Sequence, residues 1–194
     1  MAGTFGPQDV NTDAHSANPN TAINLDAFVG YAGVFGGNDY NWGGRWTAVQ
    51  VPDGATITSA TINVNLTSAG GTSVEIRVYA EDTDDAGTIL VDARRPNQIT
   101  PTTAYEVVAA NPGTGAEAIP FTGPMQELID RTGWTWTSGT GAPDVVAVMI
   151  NQQASGTDYI GVEQLENTGT SPATLTVTYT VAGGSILSHI MAYS

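Results

Sequence analysis

Three sets of residues in this 194-residue chain have types and spacings that could do chemistry. The run Glu81-Asp82-Thr83-Asp84-Asp85-Ala86-Gly87 is the densest in carboxylates. Hard cations take several oxygen ligands from one turn, so Asp82, Asp84 and Asp85 are candidate calcium ligands, with a solvated acidic loop as the plain alternative. The run is not an EF-hand: Ala86 stands where that loop needs Asp or Asn, and Ala93 stands in place of its terminal Glu. The second set is Trp42, Trp46, Trp134 and Trp136, because pyranose faces pack on exposed indoles. Trp46 and Trp134 read as core or end-cap side chains, whereas Trp42 and Trp136 are balanced between core and contact. Tyr40, Asn41 and Trp42, in the Gly-rich stretch Gly36–Gly44, form the expected contact surface together with Trp136, since loops at a sandwich end commonly carry recognition. The third set is catalytic in type only. The two histidines, His15 and His189, lie in the terminal segments, and catalytic groups need rigid support. No spacing singles out a carboxylate pair, so the chain reads as a non-enzyme that requires no cofactor, with calcium as the one ligand to consider.

The charge balance narrows the partners. Nineteen Asp and Glu face five Arg and no Lys, for a formal charge of −14. Nucleic acid and anionic membranes call for a basic patch that displaces counterions, so neither is expected. Residues 1–20 lack a basic start followed by an apolar run, and no 18 consecutive apolar residues occur, so neither an export signal nor membrane insertion is expected. A chain of this kind stays in the cytoplasm or leaves as part of something larger. Without cysteine, there is no disulfide framework or thiolate chemistry. The arginines should pair with carboxylates, and Glu163 reads as a buried structural partner of Arg45.

The elements that must position these residues are strands. Apolar and β-branched residues alternate with polar ones at period two, punctuated by Gly, Pro, Asn and Asp. Ile62, Val64 and Leu66 share one side of a strand over 57–66, and Val74, Ile76 and Val78 repeat the pattern after the turn-like Ser68–Thr72, which predicts a hairpin of these two. Further strands are expected near 24–31, 45–51, 105–109, 116–121, 145–151, 159–164 and 173–181. The unbroken apolar run 145–150 predicts a central strand buried on both faces. One short helix is expected at 124–131, where Pro124 starts it, Met125, Leu128 and Ile129 share a face and Gly133 stops it. Together these predict an all-β fold, an antiparallel β-sandwich that is jelly-roll-like, over residues 23–182.

The ends differ in composition. Residues 1–22 are polar and rich in Asn and Asp, an arm expected to be extended or ordered only by a partner. After the hinge Gly183-Gly184, residues 183–194 form a tail in which Ile186, Leu187, Ile190 and Met191 fall on one helical face. That stripe is a candidate anchor; folding back on the sandwich is the equal alternative.

Four segments bear a family resemblance. Val51-Pro52-Asp53-Gly54-Ala55-Thr56-Ile57-Thr58-Ser59-Ala60-Thr61-Ile62 is similar to the P-x-G-A-T-I-T-S-A-x-L signature of DNRLRE-type β-sandwich domains. Ala80–Ala86 resembles the G-E-D-A-D-N-A of the phage-type version, and Met125–Trp134 resembles its I-Q-E-I-V-x-R-x-G-W. Glu163 followed by Ser171–Tyr179 resembles its ending. The resemblance covers roughly 24–181 and implies a jelly-roll-like module related to carbohydrate-binding modules. With no signal peptide, the expectation is a bacteriophage virion structural protein on the particle surface: a capsid decoration or head fibre, or a tail-tip or tail-fibre component. Expected partners are other virion proteins and copies of itself, trimers most naturally, with host surface polysaccharide as a further contact. A carbohydrate-binding adhesion module of a secreted or cell-surface system is the alternative.

Overall fold

The computed structural model describes residues 2–9, 12–18, 23–24, 29–71, 76–87, 99–108, 112–139, 141–152, 157–164 and 172–182. In chain order its strands are β1 (Ala2–Asp9), β2 (Thr12–Asn18), β3 (Ile23–Asn24), β4 (Val29–Phe35), β5 (Asn38–Trp46), β6 (Ala55–Gly70), β7 (Ile76–Ala80), β8 (Glu106–Val107) and β9 (Gly115–Pro120). The helix α1 (Thr122–Ile129) follows, then β10 (Val145–Asn151), β11 (Tyr159–Glu163) and β12 (Thr174–Val181). All the strand pairs are antiparallel, and the fold is an all-β, curled, jelly-roll-like sheet with one short helix. Among the described residues, no helix is long and apolar enough to cross a membrane.

The longest strand, β6, organises the rest. One edge pairs with β12 over its first half and with β11 over its second, while the other pairs with β9. Two register shifts, at Thr58 and Thr67, insert an extra residue each and bend the strand. The first also switches which residues face inward: Ala55 and Ile57 before it, Ala60, Ile62, Val64 and Leu66 after it. The predicted hairpin of β6 with β7 does not form. The described edges of β6 are occupied by other strands, and β7 lies instead between β10 and β8.

β10 is buried on both faces, as its apolar run predicts. Val145, Ala147 and Met149 join the main core with Trp42, Trp46, Ile62 and Leu66. Val146 and Val148 point the other way, into a smaller cluster with Ala86 and Ile99. The helix spans 122–129, two residues earlier than predicted, and buries Met125, Leu128 and Ile129 against the core. The segment expected as an arm is extended and pairs within the chain: β1 runs along β12, and β2 runs along β5. Extended polar sequence satisfies its backbone groups on an available sheet edge as readily as on a partner. The tail with Ile186, Leu187, Ile190 and Met191 lies outside the described residues.

Candidate binding surfaces

The Gly-rich stretch expected to be a recognition loop is a hairpin. Gly36 and Gly37 both have positive φ, 58° and 81°, the conformation that a two-residue turn between twisted strands requires. The rest of the stretch is β5, where Trp42 is 0% exposed. Its indole lies against Gly30 and Gly44, where an added Cβ would come within 2.5 and 2.7 Å of the ring. Those glycines therefore make room for an indole inside the sheet. Trp42 belongs to the core and presents no face to a sugar, which corrects the contact expected of it. Asn41 is also buried, and its side-chain carbonyl accepts the Asn151 backbone N–H at 3.0 Å, fixing the end of β10. Trp136 is half-buried, with its ring N–H donating to the Gly139 carbonyl at 3.2 Å.

Tyr40 remains near the surface, within an aromatic group that the sequence reading missed. Tyr31 and Phe35 stack with centroids 4.2 Å apart, Phe35 meets Tyr159 edge-on at 4.8 Å, and Tyr40 lies 5.8 Å from Tyr31. All four are half-buried and come from the β4–β5 hairpin and the start of β11. Burial, with the Tyr159 and Tyr40 phenols beside it, raises the Tyr31 phenol above its ordinary 10.0. The i, i+4 spacing of Tyr31 and Phe35 was visible in the sequence, but Tyr159 reaches them only because β11 pairs with β4.

The acidic run binds a cation that belongs to the protein itself. Arg131, just beyond α1, donates from Nε to Asp84 at 2.6 Å and pairs through Nη1 with Asp82. These carboxylates hold the Arg131 pKa up, Asp84 most strongly. Asp85 accepts the Asp144 backbone N–H at 2.7 Å, so of the three carboxylates proposed for calcium two share Arg131 and the third turns to Asp144. Among the described residues, no group of three or more His, Cys, Asp or Glu is arranged to hold a metal ion. Asp144 in turn pairs with Arg45 and accepts the Ala48 N–H at 2.8 Å. Glu163 is buried, as expected, and accepts from Asn65 at 2.7 Å, while Asp144 fills the place beside Arg45 that the sequence suggested for it.

These contacts form one knot around α1. Gln126 receives the Ile57 N–H at 2.7 Å and donates to the Ala55 carbonyl at 3.1 Å, taking over the edge of β6 beyond the reach of β9. Glu127 accepts the N–H groups of Thr103 and Ala104 at 2.8 and 2.6 Å. Trp134 is buried, and its ring N–H donates to the Val51 carbonyl at 2.9 Å. Gly133 leaves space for the Asp84 carboxylate.

A second exposed surface lies on the outer face of β7 and β8. Arg77 stands directly across from Val107, and its guanidinium carbon is 4.3 Å from the Tyr105 ring centroid. Tyr105 leans on Tyr79 at 5.5 Å. Comparison with models of known protein families finds no match, and comparison with curated proteins finds none either.

Proposed function

We propose that this chain is a non-catalytic, jelly-roll-like display module of a bacteriophage particle surface, a capsid decoration or head fibre or a tail-tip or tail-fibre component. It works with other virion proteins and with copies of itself, a trimer being the natural assembly on a symmetric particle. The observation that carries this reading is the knot. Three of the segments that carry the family resemblance, 51–62, 80–86 and 125–134, meet through Gln126, Arg131 and Trp134. Their polar groups hold the scaffold together, so what resembles the family is the scaffold, and a scaffold serves assembly and display. A non-catalytic role is supported by Asp82, Asp84, Asp85, Asp144, Glu127 and Glu163, which all accept hydrogen bonds from the protein's own donors.

Antibodies raised against the purified chain should label intact phage particles and find it among their proteins by mass spectrometry. Absence from purified particles would overturn the reading. Light scattering at several concentrations, with and without residues 183–194, tests assembly: a trimer that survives the deletion places the contact on the sandwich itself. Contact with host polysaccharide is the second reading, favoured by half-buried Tyr40 in its aromatic group. Saturable glycan binding that Tyr40→Ala abolishes at unchanged stability would support it.

A further inference from the structure

The turn that leads into β6 brings together two groups that react with each other. Asp53-Gly54 is the one Asp-Gly pair in the chain, and no Asn-Gly pair occurs. Both residues are exposed, and Gly54 has a φ of 67°. The Ala55 N–H donates to the Pro52 carbonyl at 3.1 Å, closing a β-turn with Gly54 at its third position. The Asp53 N–H donates to the Trp136 carbonyl at 2.8 Å, so the backbone is tied on both sides of the Asp53–Gly54 peptide. That peptide itself is not tied. Among the described residues, neither the Asp53 carbonyl nor the Gly54 N–H has a hydrogen-bond partner. Type I and type II turns differ in the orientation of this central peptide, and glycine at the third position admits both, so the plane is free to swing. A Cβ added to Gly54 would meet nothing within 4 Å, so the space beside its nitrogen is open.

The Asp53 carboxylate stands apart from the others. Asp39, Asp82, Asp84, Asp85, Asp130 and Asp144 each accept a hydrogen bond from a donor of the chain. Asp53 accepts none among the described residues, and the residue after it has no side chain to shield the backbone nitrogen.

We propose that Asp53-Gly54 is a self-modification site, at which the chain rearranges to a succinimide and then to an isoaspartyl linkage. The Gly54 amide nitrogen attacks the Asp53 Cγ. The new C–N bond forms as the Cγ–OH bond breaks, the nitrogen gives up its proton, and one water leaves. Water then opens the ring. Addition at Cγ restores aspartate. Addition at the α-carbonyl carbon breaks its bond to the Gly54 nitrogen, so the chain now runs through Cβ and Cγ and the α-carboxylate is free. Water is the only other reactant, and the mass is unchanged over the two steps.

The product matters because both ends of the turn are fixed. The Val51 carbonyl is held by the Trp134 indole at 2.9 Å and the Ala55 carbonyl by Gln126 at 3.1 Å. Isoaspartate inserts a backbone methylene between them, which breaks the Pro52–Ala55 closure and loosens the knot around α1. The site stands whether or not the chain belongs to a virion, because it rests on the turn alone.

The test is incubation of the folded full chain at physiological temperature and neutral pH in heavy-oxygen water, followed by digestion and electron-transfer fragmentation. Isoaspartate carrying one heavy oxygen is expected at residue 53, accumulating about tenfold or more faster than at any other aspartate. Asp53→Asn, which loses ammonia in place of water, should react faster still. Asp53→Glu, whose ring would need one more atom, should give none. The isoaspartyl fraction, separated by chromatography, should melt below the parent; a fraction that melts with the parent would overturn the loosening. No isoaspartate at 53 in the folded parent, or a rate no greater than at the other aspartates, would overturn the proposal. Formation only after unfolding in urea would overturn it too, by showing that the turn holds the pair apart.

Discussion

Two regions of the molecule use an arginine beside an aromatic residue, and they use it in opposite ways. Around α1, Arg131 is held by Asp82 and Asp84, while nearby Trp134 is buried with its ring N–H bonded to Val51. At the β7–β8 edge, Arg77 stacks on Tyr105, which is 43% exposed beside a cavity. In the first region the partners come from the segments that pack around α1, so arginine and indole act as fasteners. In the second, Arg77 is half-buried under the Tyr105 ring, and Tyr105 stands on a sheet face with incomplete cover. Residue type sets what a group can do; the cover around it sets whether the chain uses it or offers it.

The largest expected effect breaks the fastened side. Trp134→Ala removes a buried indole and should cost about 3–5 kcal/mol, read from denaturant unfolding. Gln126→Ala strips partners from the Ile57 N–H and the Ala55 carbonyl and should cost about 1–2 kcal/mol by the same measurement. Arg131→Gln should cost less, about 1 kcal/mol, because the Arg131 side chain is 30% exposed and its pairs are screened; the loss should shrink in high salt.

The aromatic end adds a pH-dependent term. The folded Tyr31 phenol titrates above its unfolded value, so its contribution is complete below pH 10.0 and is lost as pH rises through the raised folded value. Tyrosinate absorbance should show a late-titrating component that Tyr31→Phe removes. The smallest effect falls on the presented side. Tyr105→Ala should change stability by less than about 1 kcal/mol. A loss as large as that of Trp134→Ala would erase the contrast between the two regions.

Some of this was legible in the residues. The run Val145–Met149 declared a strand buried on both faces because no residue in it is polar, and β10 has the predicted bounds. Pro124 with Met125, Leu128 and Ile129 declared the helix and its buried face. The partner of β7 was not legible, since alternation reports which way side chains point and says nothing about which edge a strand joins. Trp42 was misread for a related reason. Its glycine neighbours look like loop formers in sequence, and only the closeness of Gly30 and Gly44 to the indole shows them to be spacers. The bend in β6 did leave a trace: Ile57 and Ile62 are both buried although five apart, an odd interval that strict alternation forbids and the extra residue at Thr58 explains.

By itself, the amino-acid sequence determined an antiparallel, jelly-roll-like sheet with one short helix, because period-two alternation and turn residues act within a few positions of one another. The acidic run's partner, the burial of Trp42 and the opening beside Tyr105 were decided only by the tertiary structure. Each depends on residues well separated in the chain, Arg131 against Asp84, Gly30 against Trp42 and Arg77 against Tyr105, and only the packing of the strands and α1 brings such residues within reach.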